Sequence, residues 1–173
     1  MLQLTPTDGA ILHRSNLFSR RHLLVAAAAL CASGSGRAAP AGRLPMAVSL
    51  ADELAAALQK GDPLVVMVSL HRCPFCIVAR DHYLAPMRAQ QALPVVQVDM
   101  RSALAVKDFK GEKLTHDQWV RRYAVKVAPT VLFFGAGGVE VAERLEGAYI
   151  PDFYGAYLDD RLTQARSAIK AKV

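Results

Sequence analysis

Cysteine is scarce in this chain of 173 residues, which has only Cys31, Cys73 and Cys76. The histidines beyond the N-terminal segment are also few, and no two of them have the spacing of a zinc-binding pair; they are His71, His82 and His116. A structural zinc site commonly needs two Cys-x-x-Cys units, or one such unit and two spaced histidines. The sequence therefore argues against metal binding, and we expect neither a metal nor another cofactor.

Long runs of basic residues are also missing. The formal net charge is +6, but residues 1–38 hold four basic residues and one acidic residue, so the remainder carries 17 basic and 14 acidic side chains, a net charge of +3. In that remainder only Arg121 and Arg122 are adjacent basic residues. This charge pattern is typical of an ordinary soluble surface, so we do not expect a nucleic-acid partner. No heptad pattern is present, and we expect a monomer.

The apolar run Leu23–Ala32 is too short to span a bilayer, which needs about 20 residues. Basic residues precede it and small residues follow it, as in an export signal. We therefore predict a signal peptide over residues 1–38, with cleavage after Ala38 or after Ala41, and a periplasmic location. Arg20 and Arg21 resemble the pair in a twin-arginine signal. An ordinary secretory signal that contains two arginines is the alternative.

Residues 39–46 are predicted to be a short tether, and residues 47–172 a single domain. A helix is expected from Ser49, a good N-cap residue, to Gly61, which suits a helix C-cap. Two Val-rich runs, Leu64–Leu70 and Pro94–Met100, are predicted to be buried strands.

Further helices are expected from Pro74 to about Leu84, from the T-x-x-Q capping box at Thr115, and from Pro151 to about Lys170. Between them, residues 101–114 form a polar connection, for which we predict a helical turn at Ala103–Phe109. Val131–Phe134 is predicted to be a strand, followed by a glycine-rich hairpin turn and an edge strand that begins at Val139.

The motif Cys73-Pro74-Phe75-Cys76 lies at the turn from the first strand into a helix. A Cys-x-x-Cys at such a turn of a β-α-β unit indicates a thioredoxin-like redox motif. A helix N-terminus stabilises a thiolate, so we predict that Cys73 is the nucleophile and Cys76 the resolving thiol. Arg72 and His71 add positive charge that would lower the pKa of Cys73, and Phe75 is expected to contact substrate.

A purely structural disulfide is the alternative interpretation of this motif. Such a small loop removes little chain entropy, so a bond between Cys73 and Cys76 would stabilise the fold poorly. The other conspicuous side chains have simpler explanations. We expect Trp119 and Tyr123 to belong to the core, and His82 and His116 to lie at the surface.

Ala128, Pro129 and Thr130 stand directly before a predicted core strand. A cis bond before Pro129 would shape a tight turn, and the backbone of Ala128 would then offer an edge to an extended substrate segment. A proline before a strand is more often trans, so these residues alone leave the isomer open.

Five segments together resemble the thioredoxin superfamily over residues 46–170. They are the strand into Cys-Pro-Phe-Cys, the V-x-V-D strand, the A-V-K-V-A-P-T-V-L-F-F segment, the glycine hairpin and the terminal helix. The export signal, the long connection before Thr115 and the segment 151–158 resemble periplasmic, SoxW-like members. The resemblance implies an α/β thioredoxin fold, a central mixed sheet flanked by helices. It also implies that Cys73 and Cys76 are the redox pair, that Pro129 is cis and faces them, and that an inner-membrane donor of the DsbD or CcdA kind supplies electrons.

Two positions depart from the pattern of cytoplasmic thioredoxins: Arg72 replaces a tryptophan, and Met67 replaces a buried aspartate that assists the resolving thiol. The dipeptide Pro-Phe also differs from the thioredoxin Gly-Pro. We favour a reductase that acts on protein disulfides. One alternative is a DsbA-like oxidase, but residues 85–128 are too few to hold the helical domain that such an oxidase inserts there. A second alternative is a glutaredoxin, which an exported location argues against. The third is a redox-inactive binding or chaperone module.

Overall fold

The computed structural model describes residues 43–147 and 151–171. The predicted export signal at residues 1–38 therefore lies outside the described residues, as does the first part of the predicted tether. None of the described helices combines the length and the apolar character needed to cross a membrane.

A mixed sheet forms the middle of the fold. Its strands and those of a small separate hairpin are β1 (Leu64–Ser69), β2 (Val95–Asp99), β3 (Ala105–Lys107), β4 (Lys113–Thr115), β5 (Thr130–Gly135), β6 (Val139–Glu140) and β7 (Leu145–Glu146). Strand β1 is central: it pairs in parallel with β2 and antiparallel with β5. The short strands β6 and β7 both pair with β5, at its end and at its start respectively. All six residues of β1 are buried, as expected for a strand covered on both faces.

The helices are α1 (Leu50–Gln59), α2 (Pro74–Val78), α3 (Ala85–Gln91), α4 (His116–Arg122) and α5 (Pro151–Lys170). Two predicted caps are confirmed by their hydrogen bonds. The Ser49 hydroxyl accepts a bond from the Asp52 N–H, and Thr115 and Gln118 make the reciprocal bonds of a capping box. These bonds satisfy N–H groups that lack a partner within the helix.

The helix that begins at Pro74 is longer than predicted. A π-helical segment, Ala79–Leu84, joins α2 to α3, and the chain stays helical to Gln91. Pro86 has no N–H to donate, and its ring crowds the preceding turn. The wider turn, in which the Ala85 N–H bonds the Arg80 carbonyl, accommodates the proline without ending the helix.

Each face of the sheet packs against its own helices. Val65 and Met67 of β1 point to the face covered by α2, α3 and α5, whereas Val66 and Val68 point to the face covered by α1 and α4. Side chains alternate across a strand, so a single strand contributes to both cores. The result is the mixed sheet flanked by helices that the sequence predicts.

The connection after β2 corrects one prediction. The helical turn expected at Ala103–Phe109 is absent, and the chain forms the antiparallel hairpin of β3 and β4 instead. The buried carboxylate of Asp108 accepts hydrogen bonds from the N–H groups of Lys110 and Glu112, which fixes the turn. Arg122 pairs with Asp108 and compensates its charge.

The predicted tether also differs from the structure. Leu44 is buried, the Pro45 carbonyl accepts a hydrogen bond from the Gln97 N–H, and Ala47 donates to the Gln97 carbonyl. Residues 44–47 thus lie along the edge of β2 as part of the domain. Burial of the Leu44 side chain and the two backbone hydrogen bonds offset the conformational entropy that this segment loses when it becomes ordered.

Ala92, at the C-cap of α3, has a left-handed backbone with φ of 54°. This conformation costs an alanine about 1–2 kcal/mol and costs glycine almost nothing. We expect Ala92→Gly to stabilise the fold by about 0.5–1 kcal/mol, after the greater flexibility of glycine in the unfolded chain is deducted. Denaturant unfolding measures this change.

The matched control is Ala89→Gly, an exposed position inside the same helix with ordinary helical geometry. There glycine should destabilise the fold by about 1 kcal/mol. A loss of stability in both variants would contradict the strain at Ala92.

Candidate redox site

Cys73 and Cys76 lie directly beyond the carboxyl end of β1. A short turn follows the strand, in which the Cys73 N–H bonds the Leu70 carbonyl and Arg72 has a left-handed φ of 57°. Cys73 is the N-cap of α2, and Pro74 occupies the first turn of that helix. The two cysteines are joined in a disulfide, with their Cα atoms 5.2 Å apart.

The two sulfur atoms have different surroundings. Cys73 is half-buried, and its Sγ accepts a hydrogen bond of 3.1 Å from the Cys76 N–H. Cys76 has 1% of its surface exposed. Once the bond is reduced, a donor at the helix start would stabilise a thiolate on Cys73, while Cys76 stays out of reach of solvent.

The segment before β5 closes the site from the other side. The Ala128–Pro129 peptide bond is cis, and the Ala128 carbonyl oxygen lies 3.7 Å from the Sγ of Cys73. The Thr130 hydroxyl donates to the Val127 carbonyl, and the Gly147 N–H donates to that of Pro129. The structure therefore brings the Ala-Pro-Thr segment and the cysteine pair together, although 55 positions separate Cys73 from Ala128.

Three other residues singled out from the sequence line the outside of this site. Phe75 is 52% exposed, beside the disulfide. His71 and Arg72 are also exposed, and neither makes a hydrogen bond or an ion pair with the part of the chain that the structure describes. All three side chains are open to an incoming molecule.

The interior beside Cys76 is apolar. Met67, at the position where cytoplasmic thioredoxins carry the aspartate, is fully buried in the same core cluster as Cys76, Leu84 and Tyr154. Among residues 43–147 and 151–171 the buried acidic residue is Asp108, which lies in the turn between β3 and β4 and pairs with Arg122. The Cys76 thiol would thus lose its proton without a neighbouring buried acid.

Tyr83 and Tyr154 are aromatic residues of this core that the sequence did not single out. Their rings lie 5.1 Å apart, and they join the π-helical segment to α5. Burial raises the pKa of the Tyr154 phenol, and the nearby Tyr83 raises that pKa further. The spacing of Tyr154, Leu158 and Leu162 is a helical signal that does predict their burial.

His116 corrects another prediction, because it is fully buried instead of lying at the surface. Its Nδ1 accepts a hydrogen bond of 3.0 Å from the Asp99 N–H, and its Nε2 lies 3.0 Å from the Ala47 carbonyl oxygen. The imidazole therefore ties α4 to β2 and to the N-terminal segment. His82 is exposed and Trp119 is buried, as expected.

No group of three metal-ligating side chains comes together in the described residues. The disulfide beside Ala128 and Pro129 is thus the chemically distinctive site of the described domain. A disulfide at a helix start with one accessible and one buried sulfur is suited to thiol–disulfide exchange.

Comparison with known proteins gives several similar solved structures at low identity. The reduced periplasmic thioredoxin SoxS from Paracoccus pantotrophus is 24% identical, and the match covers 60% of this chain and 99% of that chain with a TM-score of 0.40. A thioredoxin-fold protein from Helicobacter pylori is 16% identical, with coverage of 65% and 85% and a TM-score of 0.43. The DsbH oxidoreductase is 21% identical, with coverage of 77% and 90% and a TM-score of 0.46.

No curated protein matches the sequence. The family model of the thioredoxin-like domain, however, matches residues 50–162. That match spans most of the chain and includes Cys73, Cys76 and Pro129, so the chain belongs to the family of thioredoxin-like domains.

Proposed function

We propose that this chain is an exported thiol–disulfide oxidoreductase that reduces protein disulfides in the periplasm through Cys73 and Cys76. The single observation that carries the proposal is the position of the Cys73 Sγ. It is half-exposed at a helix start, accepts the Cys76 N–H at 3.1 Å and lies 3.7 Å from the Ala128 carbonyl oxygen.

The reaction begins with the pair in its reduced form. The Cys73 thiolate attacks one sulfur of a substrate disulfide, forms a mixed disulfide and releases the first substrate thiolate. Cys76 then attacks the Cys73 Sγ and releases the second substrate thiolate. The protein loses two electrons to the substrate, and two protons end on the two product thiols.

Substrate contact is assigned to residues on both sides of the exposed sulfur. Pro74 and Phe75 border it on the helix side, and the backbone of Ala128, Pro129 and Thr130 borders it on the strand side. An extended substrate segment beside Ala128 would have its disulfide next to Cys73.

The reducing direction is supported by the modest number of donors to Cys73. In the described part of the chain the Cys76 N–H is the one hydrogen-bond donor to its Sγ. A dithiol becomes a strong oxidant when its reduced form is strongly stabilised, as in DsbA. His71 and Arg72 lie beside Cys73 but do not bond to its sulfur in the described structure, so they would tune its pKa through their charge alone.

The proposal includes a periplasmic location and an electron donor. The basic, apolar and small-residue sections of residues 1–38 support export. Each cycle consumes two electrons, which a membrane donor of the DsbD or CcdA kind would supply by exchange with the Cys73–Cys76 disulfide. We propose that the mature protein works as a monomer.

The reduction potential of the Cys73–Cys76 pair tests the direction of electron flow. Equilibration with glutathione buffers, followed by mass spectrometry of the trapped thiols, should give a value near about −270 mV, as for thioredoxin. A value near about −120 mV would show an oxidase instead. A disulfide that resists reduction unless the protein is unfolded would rule out both enzymatic functions.

Alkylation tests the roles of the two cysteines. After reduction, limited iodoacetamide should modify Cys73 much faster than Cys76, because Cys76 is buried. Peptide mass spectrometry gives the two rates. In Cys73→Ser, Cys76 should react slowly in the native protein and rapidly in denaturant. Equal native rates at both thiols would refute the assignment.

Trapping tests the second step of exchange. Cys76→Ser should accumulate mixed disulfides on Cys73, since the thiol that resolves them is gone. Non-reducing electrophoresis of cell extracts detects them. The matched variant Cys73→Ser keeps one buried thiol and should trap almost nothing. Equal trapping by both variants would show that Cys73 is not the attacking thiol.

A further inference from the structure

Three loops meet at the end of the sheet that carries the disulfide. The first contains His71 and Arg72 and follows β1. The second follows β2 and is held beside the first by the bond from the Met100 N–H to the Ser69 carbonyl, 2.8 Å long. The third precedes β5 and contains Ala128, whose carbonyl lies against Cys73. We call this end of the domain the redox pole.

Each of these loops presents a basic side chain. Arg72, Arg101 and Lys126 are all exposed, and none forms an ion pair or a hydrogen bond with the described residues. Several other arginines are held by carboxylates; examples are Arg80, Arg121, Arg122, Arg144 and Arg166. The loops that meet at the redox pole therefore carry basic side chains that no described carboxylate neutralises.

The acidic residues near this end do not cancel that charge. Asp99 is half-buried and accepts a hydrogen bond from the Gln97 amide, and Asp117 pairs with Arg121. Glu146, on the strand beside Thr130, is exposed and forms no ion pair in the described structure. Among the described residues, three unpaired cations thus face two carboxylates that lack a cationic partner, Asp99 and Glu146.

We infer that the redox pole selects acidic partners: the substrate disulfide is carried on a protein segment with aspartate or glutamate beside its cysteines. This inference rests on the proposed function, since it names the class of substrate for the same site. A reduced Cys73–Cys76 pair transfers two electrons to that disulfide, the two protein sulfurs become bonded, and two thiols form on the acidic segment.

Charge at this pole acts mainly on the encounter of the two molecules. Complementary charge raises association rates by factors of about 10 or more, and salt removes the effect. The range of the effect is limited, because the Debye length is about 10 Å in about 0.1 M salt. The six residues of β1 alone span about 20 Å, so a charge at the opposite end of that strand is screened from Cys73.

The test uses three synthetic peptides of equal length, each with one internal disulfide, flanked by aspartates, by serines or by lysines. The full chain carries Cys31→Ser, so that Cys73 and Cys76 are its only thiols. The reduced protein is mixed with each oxidised peptide, the reaction is stopped with acid, and the products are separated to obtain second-order rate constants.

We expect the acidic peptide to react about tenfold faster than the neutral one in about 0.01 M salt, and the lysine peptide more slowly than both. In about 1 M salt the three rate constants should converge. Arg101→Glu and Lys126→Glu should each lower the ratio of the acidic to the neutral rate constant by about threefold or more. Glu146→Gln should raise that ratio.

The matched control is Lys60→Glu, which makes the same change in net charge. Lys60 is exposed at the C-terminal end of α1, near the start of β1, whereas the redox pole lies beyond the end of that strand. Lys60→Glu should therefore leave the ratio unchanged. Equal rate constants for the three peptides, or an equal effect of Lys60→Glu and Arg101→Glu, would overturn the inference while leaving the proposed function intact. No exchange with any peptide would instead refute the proposed function.

Discussion

The burial of β1 on both faces is the constraint on which the rest of this domain depends. Each of its residues is buried, and its side chains alternate between two separate cores. Neither core is complete without this strand, because α2, α3 and α5 pack against one face and α1 and α4 against the other. The parallel and antiparallel pairings with β2 and β5 satisfy its backbone in the absence of water.

The redox site follows from the place where that strand ends. The chain leaves the core at Ser69, turns through Arg72 in a left-handed conformation and enters the helix at Pro74. One end of the Cys-x-x-Cys motif is therefore exposed and the other buried. Because β5 is antiparallel to β1, it starts where β1 ends, and this places Ala128 and Pro129 beside the exposed sulfur.

The parts of the fold that the sequence predicts well are those set by neighbouring residues. The Ser49 cap, the capping box at Thr115 and the two Val-rich strands each depend on a few adjacent positions. The hairpin of β3 and β4 depends on the buried Asp108 and on Arg122, which is 14 positions away, so its local polar sequence suggested a helical turn. The predicted surface position of His116 is wrong for the same reason, since the Ala47 carbonyl that contacts its imidazole is 69 positions away.

For the site, the sequence identifies both cysteines, the proline and the exposed Phe75, because a spacing rule and a known family pattern apply to them. It does not reveal that Cys76 shares its core with Tyr83 and Tyr154. It also does not reveal that the loops carrying Arg72, Arg101 and Lys126 meet at one end of the sheet. Those features arise from the packing of segments that are distant in the chain. No local pattern records them.

The N-terminal segment along β2 has a consequence for encounters between copies of the protein. An uncovered outer strand offers free N–H and C=O groups to which a strand of another chain can add, which is a common start of aggregation. Here the N–H and C=O groups of Gln97 are already hydrogen-bonded to Pro45 and Ala47. On the opposite side of the sheet the outer strand is broken into β6 and β7. Both margins of the sheet are thus poor templates for aggregation, although the domain exposes the apolar Phe75 beside its disulfide.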